Sequence, residues 1–196
     1  MPELWLIRHG ETEWSRVFRH TGRTDLPLTA TGEQQAVLLG QRLGGRGFAA
    51  VLTSPLRRAR DTCRIAGYEA SAQVDDDLAE WDYGAYEGLT ATQIRERRPG
   101  WNIWDGGVEG GEALEAVAVR VDRVIARVTA APGDVALFAH AHLLRILGAR
   151  WLGLPAIHGR SFALGTASLS VLGGNGDRVV THWNDVNHLG AAGQAP

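Results

Sequence analysis

The residues best suited to chemistry sit where apolar runs stop. LWLIRHGETEW, positions 4–14, carries Leu4 to Ile7 straight into Arg8, His9 and Gly10. A second run, 50–53, leads into SPLRRARDTC with Arg58, and a third, DVALFA at 134–139, leads into His140, Ala141 and His142. A buried run that ends on a cation needs either a carboxylate partner or an anionic ligand. Arginine is always charged and grips phosphoryl oxygens in a bidentate fork. Histidine attacks phosphorus when one ring nitrogen is free and an acceptor on the other fixes the tautomer. Arg8, Arg58, His9 and His140 together match a dianionic phosphoryl group, with His9 placed as nucleophile. The departing alcohol then needs a proton from a carboxyl group. LAEWDYGAYEG offers Glu80, Asp82 and Glu87, and spacing alone does not choose among them.

Bringing these groups together requires a definite set of elements. Residues 4–8 and 134–139 read as buried strands, and 50–53 as a shorter one running into a helix from about Pro55, since proline suits a first helical turn. TGEQQAVLLGQRL, 31–43, reads as a helix opened by a Thr31–Gln34 capping box. A short polar helix is expected at 90–98. Val117, Val121, Val124, Ile125 and Val128 recur at helical spacing, so 112–128 should bury one face. Another helix follows at about 142–152. Strands near 167–172 and 178–183 flank GGNGD, a hairpin-type turn. Strands alternating with helices predict an α/β domain with a mostly parallel sheet and an antiparallel element at its edge. Ligands of such sheets bind beyond the carboxyl ends of the strands. Arg8-His9, Ser54 to Arg58, and His140 all fall there. One domain is expected over 1–190, with 191–196 as a flexible tail.

Composition narrows the function. The chain has 196 residues and a net charge of −2, which gives no nucleic-acid-binding surface. All twenty basic residues are arginine, which excludes a Schiff-base lysine and a P-loop Gly-Lys-Ser/Thr. Cys63 is alone, so there is no disulfide framework or cysteine zinc site, and it reads as a small apolar residue of a helix. Without a signal-peptide pattern or a spanning apolar stretch, a cytoplasmic protein without a membrane partner is expected. His140 and His142 have the spacing of a strand-borne metal pair but no further ligand, so no metal is assigned; His142 reads as a substrate contact. Asp75, Asp76 and Asp77 read as a solvated turn. Trp81, Trp101 and Trp104 either wall a sugar site or pack in the core. His20, His158, His182 and His188 receive no role.

LIRHGETEW, TGRTDLPLTATGEQQA, TSPLRRARDT, LAEWDYGAYEG and ALFAHAH, in that order over roughly residues 4–155, resemble the histidine phosphatase superfamily, which also contains the cofactor-dependent phosphoglycerate mutases. The resemblance implies a three-layer α/β/α fold with a mostly parallel central sheet. It implies that His9 is the phosphorylated nucleophile, that Arg8 and Arg58 bind the phosphoryl oxygens, and that His140 is the second pocket histidine. Among the three carboxyl groups it selects Glu80 as proton donor. Thr21 and Gly22 fall where the family contacts substrate, and Ser15 and Tyr83 are further candidates. Where the family usually has glycine after the second histidine, this chain has Ala141, which would be strained by about 1 kcal/mol at positive φ. Mutases of the family carry a long insertion after the proton-donor segment; here about thirty residues separate Glu80 from Gly110-Gly111-Glu112. Hydrolysis is therefore expected, without cofactor or metal. The sequence is most similar to the broad-range acid phosphatases and the sedoheptulose-bisphosphatase type. The insertion that the latter carry after the second-histidine helix is missing, which leaves a small sugar phosphate as the expected substrate and partner, handled through a phosphohistidine. The alternatives are a phosphoglycerate mutase and a catalytically silent binder of a phosphorylated ligand. A homodimer is compatible with the sequence.

Overall fold

The computed structural model describes residues 2–174 and 176–193. Six strands form one sheet: β1 (Leu4–Arg8), β2 (Ala50–Thr53), β3 (Ala72–Val74), β4 (Val135–Ala139), β5 (Leu169–Gly173) and β6 (Val179–Asp185), in the order β3-β2-β4-β1-β5-β6. β1, β4, β2 and β3 are mutually parallel; β5 runs antiparallel to β1, and β6 antiparallel to β5. The helices are α1 (Glu13–Arg16), α2 (Ala30–Leu43), α3 (Arg57–Ile65), α4 (Ala91–Arg97), α5 (Ile103–Gly106), α6 (Leu114–Thr129) and α7 (Ala141–Trp151).

Every residue of β4 is buried, because helices cover both faces of the sheet. Alternation assigns the faces. Leu4, Leu6, Val135 and Leu137 pack with the apolar side chains of α6 and α7. Ile7, Ala136 and Phe138 pack with those of α2 and α3. Three layers result, as expected. The valine stripe of α6 is buried throughout, and Arg120 is buried on the same helix.

Several local readings need correction. α2 begins at Ala30, and its N-cap is Thr29, which accepts the Gly32 N–H at 3.0 Å, rather than a Thr31–Gln34 box. Tertiary packing decides this: Gln35, one residue beyond the expected partner, receives the Glu11 N–H at 2.8 Å, and Thr29 Oγ1 donates to Glu11 Oε1 at 2.8 Å. A Cβ on Gly10 would collide with the Gly32 carbonyl, so glycine after His9 permits this close approach. α3 starts at Arg57 instead of Pro55, since Ser54 Oγ accepts the Leu56 N–H at 3.2 Å and holds residues 54–56 in a turn. The edge strand β3 was not expected; three residues are too few to show a period. Ala141 is the first residue of α7 and is not among the positive-φ residues, so its strain does not arise. The expected hairpin turn at 173–177 includes Asn175, outside the described residues. The described chain closes with two short 3-10 turns within Asn187–Gly193, which meet at a non-helical Gly190, and of the expected 191–196 tail 194–196 lie outside the described residues. Among the described residues, no helix is long and apolar enough to cross a membrane.

Candidate active site

The register of the sheet assembles the site. Arg8 pairs with Ala139, and the His9 N–H donates to the Ala139 carbonyl at 3.0 Å, so β1 and β4 deliver His9 and His140 side by side. Their ring centroids lie 5.2 Å apart, and both residues are buried. On the other flank of β4, the Ser54 N–H donates to the Phe138 carbonyl at 2.9 Å, placing the end of β2 beside the same edge. The two strand-end histidines, Arg8 and Arg58 thus converge as the sequence implied.

The histidine tautomers follow from their partners. A carbonyl only accepts, so the 2.7 Å contact between His9 Nδ1 and the Gly10 carbonyl puts the proton on Nδ1 and leaves Nε2 with a free lone pair. Arg58 Nε donates to His140 Nδ1 at 3.2 Å, so neutral His140 carries its proton on Nε2, 2.7 Å from Ser54 Oγ. Burial, reinforced by Arg58, holds both rings well below the usual histidine range. They remain neutral in the site.

The two arginines are held differently. Fully buried Arg58 donates to His140, to the Thr24 carbonyl at 3.0 Å, and through Nη2 to the Thr21 and Gly22 carbonyls at 2.9 and 3.0 Å. Four of its five N–H groups are therefore taken within the protein, and it offers an anion its charge and one remaining donor. Arg8 donates Nη1 to the Leu164 carbonyl at 2.5 Å, but its Nε is buried without a partner. Burial pulls the Arg8 guanidinium down to about 10. A buried, unpaired donor on a cation is what an anion-binding site presents before its ligand arrives.

Glu80 is buried against the start of α7. Its Oε1 accepts the N–H groups of Trp81 at 3.0 Å and Leu143 at 2.9 Å; Oε2 accepts that of His142 at 3.1 Å. The competing carboxylates are occupied elsewhere. Asp82 pairs with Arg23 at 2.8 Å and caps the Gly84 N–H, and Glu87 Oε1 receives the N–H groups of Gly22 and Thr24. The three differ in place: Glu80 lies against the start of α7 beside His142, Glu87 against the loop at residues 22–24, and Asp82 against Arg23.

The remaining candidates separate. The Gly22 N–H goes to Glu87 and its carbonyl to Arg58, while Thr21 gives Arg58 its carbonyl and turns its hydroxyl to Arg19. Both support Arg58. Ser15 closes the capping box of α1 with Thr12. Tyr83 Oη lies 2.7 Å from His142 Nδ1, and burial pushes the phenol far above its usual range. His142 also faces Trp104, with ring centroids 5.4 Å apart. His20, given no role from sequence, lies parallel to His142 at 6.2 Å and edge-on to Tyr83 at 5.0 Å, in the same wall. Trp81 and Trp101 are core residues; Trp104 is only partly buried. Among the described residues, no group of three or more potential ligands could hold a metal ion.

Sequence reading missed Thr62 altogether, and missed the supporting contacts of Ser54 and Glu87. Thr62 Oγ1 accepts the Gly10 N–H at 3.0 Å and donates to the Arg58 carbonyl, one turn earlier on α3, at 2.7 Å. The i, i+4 spacing from Arg58 was the available signal. Glu87 acts over more than sixty residues of separation, and no local pattern announces it.

Comparison with known proteins places the whole sheet and its helices within one family. The model of the histidine phosphatase superfamily (branch 1) matches residues 4–186. An acid phosphatase of Mycobacterium tuberculosis is 44% identical over 174 residues, covering 87% of this chain and 85% of that protein. Sedoheptulose 1,7-bisphosphatase of Saccharomyces cerevisiae is 37% identical, over 78% of this chain and 68% of its own length. A probable phosphoglycerate mutase of Salmonella paratyphi B is 32% identical, with 97% and 96% covered. The solved structure of mycobacterial glucosyl-3-phosphoglycerate phosphatase superposes with a TM-score of 0.85 at 31% identity, over 94% of this chain and 99% of that one.

Proposed function

Since the chain belongs to the histidine phosphatase superfamily and is a phosphatase, we propose that it hydrolyses small phosphorylated metabolites, sugar phosphates in particular, through a phosphohistidine on His9. The observation that carries this reading is the Nδ1–H bond of His9 to Gly10. It leaves Nε2 unprotonated on a ring that feels the charge of Arg8, whose buried Nε has no partner. In the first step the Nε2 lone pair forms the N–P bond as the P–O bond to the alcohol breaks, and the leaving oxygen takes a proton from Glu80. In the second, water attacks phosphorus, gives its proton back to Glu80, and the N–P electron pair returns to Nε2. Arg8 and Arg58 supply positive field to the transferring oxygens, the task a metal performs in other phosphatases. His140 lies beside the same group.

Hydrolysis is favoured over mutase chemistry by the short segment after Glu80. Two of its three arginines serve that segment itself: Arg95 Nε donates to the Trp101 carbonyl, and Arg98 to Tyr86 Oη and the Gly106 carbonyl. The similarity to a probable phosphoglycerate mutase makes that activity the second reading. The names of the bisphosphatase and the glucosyl-3-phosphoglycerate phosphatase support a sugar phosphate as substrate. His142, Tyr83, His20 and Trp104 would line the leaving-group side.

The test is a rapid quench with p-nitrophenyl phosphate in excess EDTA. Wild type should carry an acid-labile, alkali-stable phosphoryl label and turn over without added metal. His9→Ala should lose the label and at least on the order of 10³ in turnover. Full activity in that variant sinks the mechanism. Absence of hydrolysis by wild type would instead favour a silent ligand binder.

A further inference from the structure

We propose that Arg120 and Glu112 form a clamp that sets the position of Glu80 for proton transfer. The proposal rests on the acid role given to Glu80 above. Arg120, buried on α6, spends all five of its N–H groups inside the protein. Nε and Nη2 bind Glu112 Oε1 and Oε2 at 2.8 and 2.9 Å, a bidentate pair. Nη1 donates to the carbonyls of Asp77 at 2.8 Å and Ala79 at 2.5 Å, and Nη2 to that of Glu80 itself at 3.2 Å. Glu112 extends the grip past the carboxyl group. Its carbonyl accepts the Trp81 indole N–H at 2.7 Å, and its N–H donates to the Asp82 carbonyl at 3.0 Å. The chain is thus held at 77, 79, 80, 81 and 82, on both sides of Glu80.

The carboxyl head of Glu80 is held separately, by the N–H groups of Trp81 at the next position and of His142 and Leu143 on α7. α7 orients the head and the Arg120–Glu112 pair fixes the root. A well-packed apolar pair would stabilise such a position as well as a buried ion pair does, so stability alone is a weak reason for its presence. Fixing a group to within an ångström is a better one, because displacement of that size costs on the order of 10²-fold in rate. Neither side chain contacts His9, Arg8 or His140, so both are positioning residues.

The experiment compares Arg120→Lys with wild type in single-turnover release of alcohol from an alkyl phosphate and from p-nitrophenyl phosphate. Lysine keeps the charge and cannot span the three carbonyls and the carboxylate. The alkyl ester, whose leaving group needs a proton, should slow by roughly 10- to 100-fold; the nitrophenyl ester, which leaves without one, by less than about threefold. In a Glu80→Gln background the same substitution should add little, since the acid it positions is already gone. Equal slowing of both esters, no slowing, or full additivity in the Glu80→Gln background overturns the clamp. Glu80→Gln alone reports on the premise: equal loss for both esters there refutes the acid role, and the clamp falls with it. If Arg120→Lys does not fold, Glu112→Gln carries the identical comparison, and the same outcomes support or overturn the clamp.

Discussion

Two regions of this molecule gather arginine side chains, and they do opposite work. On the α6 face of the sheet, a groove of about 560 Å³ runs from Ala50 and Val135, at the amino ends of β2 and β4, to Asp75 and Asp77 just past the carboxyl end of β3, and is bordered also by Arg127. Its charges are matched: Arg127 reaches Asp75 at 2.6 Å and Asp77 at 2.9 Å, and Arg123 reaches Asp77 as well. Hydrogen bonding by Arg123 holds the Asp77 carboxyl below its usual range. At the carboxyl ends of the strands the arginines are buried, their neighbours are carbonyls and neutral histidines, and one guanidinium nitrogen has no partner. Concavity alone would have selected the groove. Unpaired positive charge in a desolvated place is the better marker of an anion site, because only a ligand can relieve its cost.

Three measurements can break or sharpen this contrast. The largest effect should come from Arg58→Lys. An ammonium cannot serve His140 and three loop carbonyls at once, so kcat/KM should fall by on the order of 10² or more despite the retained charge. Unchanged kinetics would show that the field at the site does not depend on that guanidinium. A medium effect is expected from pH. His9, His140 and His142 are held neutral by burial, while their unfolded counterparts titrate near about 6.5. Their folded values are lowered, so their contribution is complete above about pH 6.5. It is lost as pH falls toward the folded values, because the unfolded chain then binds protons that the folded chain refuses, at up to about 1.4 kcal/mol per pH unit for each ring. The melting temperature at pH 5 should therefore lie at least about 5 °C below that at pH 7. A flat profile would contradict the neutral rings. The smallest effect belongs to the groove: Arg127→Ala should cost less than about 1 kcal/mol in urea unfolding and leave kcat/KM unchanged. A loss of activity there would join the two regions and end the contrast.

What could be read in the sequence was whatever a short segment carries whole. Leu4 to Ile7 announces a buried strand, and Arg8-His9 follows at its end; DVALFA and His140 repeat the pattern. Parallel register then brings the two histidines together. Glu80 was chosen over Asp82 and Glu87 by resemblance, since all three share one polar segment; only the fold shows that Glu80 alone of the three meets the N–H groups of α7. The supports were hidden. Arg120 contacts carbonyls some forty residues earlier, and carbonyls have no signature in a side-chain sequence. Thr29 and Thr31 are equally good caps on paper, and the choice between them lies with Glu11 across the loop.

The partner chosen for the His9 Nδ1–H has a consequence for how long a phosphorylated enzyme would last. Gly10 offers a neutral carbonyl rather than a carboxylate. Were Nε2 bonded to phosphorus, the ring would be a cation with no carboxylate behind its Nδ1, and it could not shed its remaining proton into an amide oxygen. Such a ring would depart readily, as neutral imidazole, whereas a carboxylate behind it would blunt the positive charge and slow departure. The backbone of Gly10 would thereby tune a nucleophilic His9 toward passing a phosphoryl group on instead of storing it.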